Sequence, residues 1–265
     1  MAHPHGELAA SERREALKAV LAQARACTRC PELAATRKTV VFGSGNADAE
    51  LAFVGEAPGA SEDEQGIPFV GRAGQLLNQL LEEIGLDRKD VWICNVLKCR
   101  PPGNRDPLPV EIDNCQEYLQ RQVELIEPTV ICTLGNFSTK LLRGDPTGIT
   151  RLHGQPQVLT LGRRAVRLYP IFHPAAALYT PRMLETLRED FARLPELLGL
   201  GAPDQPPAVL DEPPPAPQDD EPRPDESPRE ESPREAPQRE EPGTSGRAAG
   251  AGAAPDVEPD QLGLF

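Results

Sequence analysis

The sequence predicts an α/β protein: three layers, α/β/α, around a central four-stranded parallel sheet, followed by a disordered C-terminal tail. Two patterns predict the folded part. Short apolar runs alternate with longer amphipathic segments, the order that gives parallel strands covered by helices on both faces. Glycines and polar residues follow those runs directly, and parallel sheets bind ligands beyond the carboxyl ends of their strands. A third observation sets the boundary. Residues 201–265 hold 15 of the 30 prolines, and 16 acidic side chains against five arginines, a net charge of −11. Such a segment cannot bury enough apolar surface to offset its ordering entropy. A folded unit over 1–200 and a tail over 201–265 are expected.

The elements follow in order. Leu17, Val20, Leu21 and Ala24 lie at helical spacing in 11–26, with Ser11 as cap, and this helix leads into Cys27. Leu51-Ala52-Phe53-Val54 is a buried strand ending in Gly55. The stretch 71–84 is helical, with Leu76, Leu77, Leu80, Leu81 and Ile84 on one face and Gly85 as its stop. A second strand spans 91–96. A long helix begins at Pro107 and ends at Ile126, before Pro128. A third strand over 129–134 enters a helix near Asn136, a fourth runs over 166–171, and a helix over 181–194 closes the unit.

Charge and cysteine usage narrow the class. The chain carries a net −13, but residues 1–200 hold 23 basic and 25 acidic groups, so the acidity belongs to the tail. A near-neutral domain binds nucleic acid if its cations cluster. No stretch approaches 18 apolar residues, so no membrane helix is expected. The first residues lack an apolar h-region, so no secretory signal is expected and the protein reads as cytoplasmic. Six cysteines in such a protein point to metal ligation, reactive chemistry or burial rather than disulfides.

Those cysteines divide into two sets. Cys94 and Cys132 fall inside strands, where a thiol packs as a small hydrophobe. Cys27-x-x-Cys30, Cys99 and Cys115 come from distant segments, and the 99–115 spacing is unlike a zinc knuckle. Four such thiolates suit a structural iron–sulfur cluster, with zinc as the alternative. Cys99 sits in a proline-stiffened basic loop whose Lys98, Arg100 and Arg105 are candidates for phosphate contacts. Gly55-Glu56 after the first strand, Asn95 near the end of the second and His173 after the fourth converge on one crevice.

At these residues the sequence resembles the family 4 uracil-DNA glycosylases, the iron–sulfur branch of their superfamily. The segments that carry the likeness are Gly55-Glu56-Ala57-Pro58-Gly59 with Glu62-Asp63, Pro68-Phe69-Val70-Gly71, Asn95-Val96-Leu97-Lys98-Cys99-Arg100-Pro101-Pro102 and His173-Pro174-Ala175. With Cys27, Cys30 and Cys115, they span residues 15–195 or so, the whole expected domain. The resemblance implies hydrolysis of the N-glycosidic bond of a uracil nucleotide flipped out of DNA, with no metal in the chemical step and a structural 4Fe–4S cluster. It implies that Gly55 and Glu56 line the base pocket. Phe69 supplies the face on which uracil stacks, and Asn95 reads the O4/N3–H edge that separates uracil from cytosine. His173 donates to O2 as charge grows on the leaving base. Where the wider superfamily has a water-handling aspartate this chain has Ala57, so Glu56 and Asn104 become the candidates for that task. Residues 100–109 contain no histidine, which favours turnover over covalent trapping of DNA. In Ala175-Ala176-Ala177-Leu178-Tyr179, Leu178 is the candidate wedge into the duplex.

Two alternatives stand beside this reading: an iron–sulfur DNA-binding module without catalysis, and a glycosylase for other deaminated bases. The final Gln261-Leu262-Gly263-Leu264-Phe265 resembles the peptide by which bacterial repair and replication proteins dock on the sliding clamp. Gln261, Leu262, Leu264 and Phe265 are its candidate contacts, and a monomer is expected.

Overall fold

The computed structural model describes residues 9–206. Helix α1 (Ala10–Ala26) buries Leu17, Val20, Leu21 and Ala24, the stripe that their spacing requires. Ser11 is not its cap. The N-cap is Ala9, whose N–H donates to the Glu12 side chain at 2.9 Å, so the acid three residues on serves instead. A short α2 (Pro31–Thr36) starts right after Cys30. Strands β1 (Ser44–Gly45) and β2 (Leu51–Gly55) follow, then α3 (Ala60–Gln65) and α4 (Arg72–Glu83). Gly85, at φ +80°, terminates α4 in the left-handed region that a side chain would disfavour.

After β3 (Trp92–Asn95), α5 (Pro109–Ile126) begins two residues later than expected. Pro109, not Pro107, occupies its first turn, and Glu111 accepts the Leu108 N–H at 2.8 Å. Strand β4 (Val130–Leu134), α6 (Asn136–Arg143), α7 (Ile149–Leu152), β5 (Gln157–Leu161) and β6 (Arg164–Ile171) complete the sheet. Helices α8 (Pro174–Ala177), α9 (Pro181–Ala192) and α10 (Leu194–Gly199) close the chain.

The sheet order is β1-β3-β2-β4-β6-β5. The four expected strands are the parallel centre, β3-β2-β4-β6. Two antiparallel edge strands, β1 on β3 and β5 on β6, widen the sheet to six. Neither edge carries the apolar signal of a buried strand. β1 is only two residues long, and β5 leaves Val158 61 % exposed. The central strands are buried on both faces. Ala52, Val54, Ile131, Val166 and Leu168 pack under α1 and α5. Their alternating neighbours Leu51, Phe53, Val130, Cys132, Tyr169 and Ile171 pack under α4, α9 and α10. Cys94 and Cys132 sit in these cores as expected, and burial pushes both thiols up from their ordinary range.

Past α10 the chain stays on the sheet: the Gln205 side chain accepts the Ala165 N–H at 3.1 Å and donates to the Ala165 carbonyl at 3.0 Å. Among the described residues, no helix is long and apolar enough to cross a membrane. The proline-rich acidic tail and the terminal peptide with Gln261, Leu262, Leu264 and Phe265 lie outside the described residues, apart from positions 201–206.

Candidate active site and thiolate cavity

The crevice forms where β2 and β3 end in register, Gly55 opposite Asn95. Backbone pairing continues one step into the loops: the N–H groups of Val96 and Leu97 donate to the carbonyls of Gly55 and Glu56, both at 3.0 Å. His173 enters two residues after β6, and Phe69 enters from the loop between α3 and α4. Together with Glu56, Asn104, Arg105 and Ala175, these side chains line a cavity of about 400 Å³. The rings of Phe69 and His173 stack, with centroids 5.6 Å apart and 28° between planes. Gly55 keeps the slot open, since a Cβ there would lie 2.3 Å from Asn95 Oδ1 and 2.7 Å from Phe69 Cζ.

Asn95 is 2 % exposed, and its Oδ1 is buried without a hydrogen-bond partner among the described residues. An acceptor left so costs about 1–3 kcal/mol. The atom therefore asks for an N–H donor from a ligand. His173 is the N-cap of α8, and its Nδ1 accepts the Ala175 N–H at 3.1 Å. The ring proton consequently sits on Nε2. Burial pulls the pKa down to about 4, against the opposing charge of Glu62, so at neutral pH the ring is an uncharged donor.

Phe69 holds φ +52°, a region that costs an ordinary residue about 1–2 kcal/mol. Glu62 and Gly74 help to secure it. Glu62 Oε1 accepts the N–H groups of Val70 and Gly71, both at 3.0 Å. Gly74 has no side chain where a Cβ would stand 1.7 Å from the Phe69 carbonyl oxygen. In a helix interior, glycine to alanine ordinarily gains up to about 1 kcal/mol. Here the sign reverses: Gly74→Ala should lower stability by roughly 1–3 kcal/mol, because backbone cannot yield as a flexible side chain does. A denaturant midpoint equal to or above that of the parent would refute this.

Glu56 is half-buried, and burial, with the nearby charge of Asp106, raises its carboxyl above the usual range. It also faces a second hollow of about 700 Å³, lined among others by Asp106, Asn136, Lys140 and His173. Asn104, at φ +55°, is exposed at the mouth and accepts Arg100 Nε at 2.7 Å.

The basic loop is rearranged relative to the sequence expectation. Lys98 is not a surface cation. It is 1 % exposed, and Nζ donates to the Asn95 carbonyl at 2.8 Å and to Gln122 Oε1 at 2.6 Å. Gln122 in turn donates to the Phe42 carbonyl at 2.9 Å. Lys98 thus braces Asn95 from behind and, being buried, cannot meet a phosphate. Arg105 is committed to Glu111 and Glu32, each at 2.7 Å. Only Arg100 of the three remains as a phosphate candidate. Leu178 is also displaced from its expected role: it packs partly buried against the α4–α9 core, while Tyr179 is 78 % exposed with Arg72 over its ring at 5.9 Å.

Cys27, Cys30, Cys99 and Cys115 line one small cavity between α1, α2, the 97–99 loop and α5. Donors surround the sulfurs: Arg37 Nη1 at 3.1 Å from Cys99 Sγ, the Lys98 N–H at 3.3 Å from Cys115 Sγ, and Asn114 Nδ2 at 3.6 Å from Cys30 Sγ. Among the described residues, no group of three or more His, Cys, Asp or Glu side chains is set closely enough to hold a metal ion. The thiols ring a space instead.

An open α/β sheet carries Phe69, Asn95 and His173 around one cavity at its rim, and the family model described as the uracil DNA glycosylase superfamily matches residues 42–195. Type-4 uracil-DNA glycosylases are similar over most of the domain. That of Archaeoglobus fulgidus is 44 % identical over 189 residues, 70 % of this chain and 94 % of that protein. That of Sulfurisphaera tokodaii is 44 % identical over 188 residues, covering 69 % and 85 %. That of Saccharolobus solfataricus is 45 % identical over 181 residues, covering 66 % and 83 %. The chain belongs to the type-4 uracil-DNA glycosylases.

Proposed function

We propose that this chain removes uracil from DNA by hydrolysing its N-glycosidic bond, releasing the free base and leaving an abasic site for base excision repair. The observation that carries this is the unpartnered Asn95 Oδ1 in a slot walled by Phe69 and His173. Uracil offers that oxygen its N3–H and offers O4 to the amide Nδ2; cytosine presents the opposite pattern at both atoms. Phe69 stacks on the base. As the C1′–N1 bond breaks, its electron pair moves onto the base, and the His173 Nε2–H stabilises the charge at O2. The sugar becomes oxocarbenium-like and a water oxygen bonds to C1′. Glu56, aided by Asn104, orients that water and takes its proton. Arg100 holds backbone phosphate, and Tyr179 takes over from Leu178 as the group that enters the duplex.

Incubating the protein with a uracil-containing oligonucleotide and then alkali tests the reading. Strand scission at uracil and not at cytosine is expected, and intact DNA would reject it. Scission at hypoxanthine in preference to uracil would reject uracil as the principal substrate.

For the cofactor, four thiols from distant segments gathered around one cavity support a 4Fe–4S cluster, with tetrahedral zinc as the alternative. Such a cluster cross-links the chain around Cys27 and Cys30 to the loop bearing Lys98 and Cys99. Its role is structural. Cys99→Ala should abolish visible absorbance and bound sulfide, and lower the melting temperature. Stoichiometric zinc without iron in the parent protein would reverse the assignment. A monomer acting in the cytoplasm fits this work. The terminal peptide Gln261-Leu262-Gly263-Leu264-Phe265 would tether the enzyme to the sliding clamp. Binding of the last ten residues to a clamp should vanish when Leu264 and Phe265 become alanine, and equal binding by both peptides would end the idea.

A further inference from the structure

We propose that Arg88 is a positioning residue for the base pocket, acting on substrate through the backbone of the Phe69 turn; the proposal rests on the platform role given to Phe69 above. Arg88 opens a single 3-10 turn (Arg88–Asp90) before β3, nineteen residues from Phe69 and outside every motif of the site. Its guanidinium reaches into the α3–α4 loop. Nη1 donates to the Phe69 carbonyl at 3.1 Å, and Nη2 donates to the Pro68 carbonyl. Longer contacts at 3.4 Å, to Asn78 Oδ1 and Ser44 Oγ, fix the fork sideways.

The pattern on the turn is two-sided. The carbonyls of residues 68 and 69 go to one cation, and the N–H groups of residues 70 and 71 go to one anion, Glu62. Four polar groups of consecutive residues are thereby held by charged side chains, across a residue at φ +52° that an aromatic side chain does not choose by itself. Released from either side, residue 69 relaxes toward negative φ, and its ring swings out of the stack with His173. Burial disfavours the charge on Arg88, with Glu62 opposing that effect, so the cation is held in place at a cost. Only arginine suits the task. Its planar fork spans two adjacent carbonyls, whereas a lysine ammonium is a single point on a flexible stem.

If Arg88 acts through Phe69, the two residues must be coupled in a double-mutant cycle. Arg88→Lys should lower kcat/KM on uracil DNA about tenfold and raise the inhibition constant of free uracil by a similar factor. In a Phe69→Ala background the same change should cost less than about twofold, because no platform is left to misplace. In an Asn95→Ala background it should keep most of its tenfold effect. Equal factors in all three backgrounds, or no effect in the parent, would overturn the proposal. A Phe69→Ala variant as active as the parent would sink the platform reading itself, an outcome distinct from failure of the Arg88 coupling. Should Arg88→Lys not fold, Arg88→Gln carries the same comparison: it leaves no buried charge and still donates one N–H to the turn.

Discussion

Asn95→Ala is expected to cut kcat/KM on uracil-containing DNA by roughly 10²–10⁴-fold, from two hydrogen bonds lost in a water-excluded site. It should not destabilise the free protein. Asn95 Oδ1 is buried and unpartnered before substrate arrives, so removing it also removes an unpaid desolvation penalty. The denaturant midpoint should stay level or rise, by up to about 1 kcal/mol in stability. The two measurements separate the base-reading role from a packing role. An Asn95→Ala protein that is fully active, or one that is inactive because it is unfolded, would contradict the assignment. Asn95→Asp sharpens the test. Its carboxylate would oppose uracil O4 with a second acceptor, so uracil excision should fall at least as far as in the alanine variant, although shape is retained.

How much of this was legible in the chain depended on what each residue's signal measures. The parallel strands were legible because Leu51–Val54 and Val130–Leu134 are short, mainly apolar runs buried on both faces, as a sheet covered twice demands. Edges β1 and β5 make no such demand and left no trace. Gly55, Asn95 and His173 were legible as a site because their positions at strand ends follow from topology alone. Side-chain direction was not. Lys98 stands between Leu97 and Cys99 in a run of cations, and charge density marks it as a surface group. It instead folds back three residues to the Asn95 carbonyl, at a point where β3 has ended and its carbonyls need donors. Leu178 and Tyr179 differ by one position, and one step around a helical turn decides which is packed and which is bare. Arg88 was invisible for another reason. What it holds is backbone, and neither the carbonyls of a loop nor a positive φ at phenylalanine leaves a mark in sequence.

The second large effect concerns His173, and pH is its discriminating variable. His173→Ala should lower kcat by about 10²–10³-fold, the usual loss for one donor aimed at developing negative charge. His173→Gln should recover part of it, since an amide offers a neutral N–H at a similar reach. The imidazole is neutral from about pH 4 upward, so its work needs no proton from solution. The rate should therefore lack any acid limb near 6.5 that disappears in His173→Gln; finding one would mean that the imidazolium is the active form. Stability carries the matching sign. Between about pH 6.5 and 4 the unfolded chain binds a proton at this residue and the native state does not. Unfolding is then favoured by acid, and this contribution to stability falls as pH drops through that window. Below about 4 the native ring is protonated as well, and the slope from this group ends. In His173→Gln the slope from this group should vanish throughout, because an amide does not titrate. The same burial that makes His173 a neutral donor thus makes the fold more acid-sensitive: His173→Ala should remove both properties together, and His173→Gln only the second.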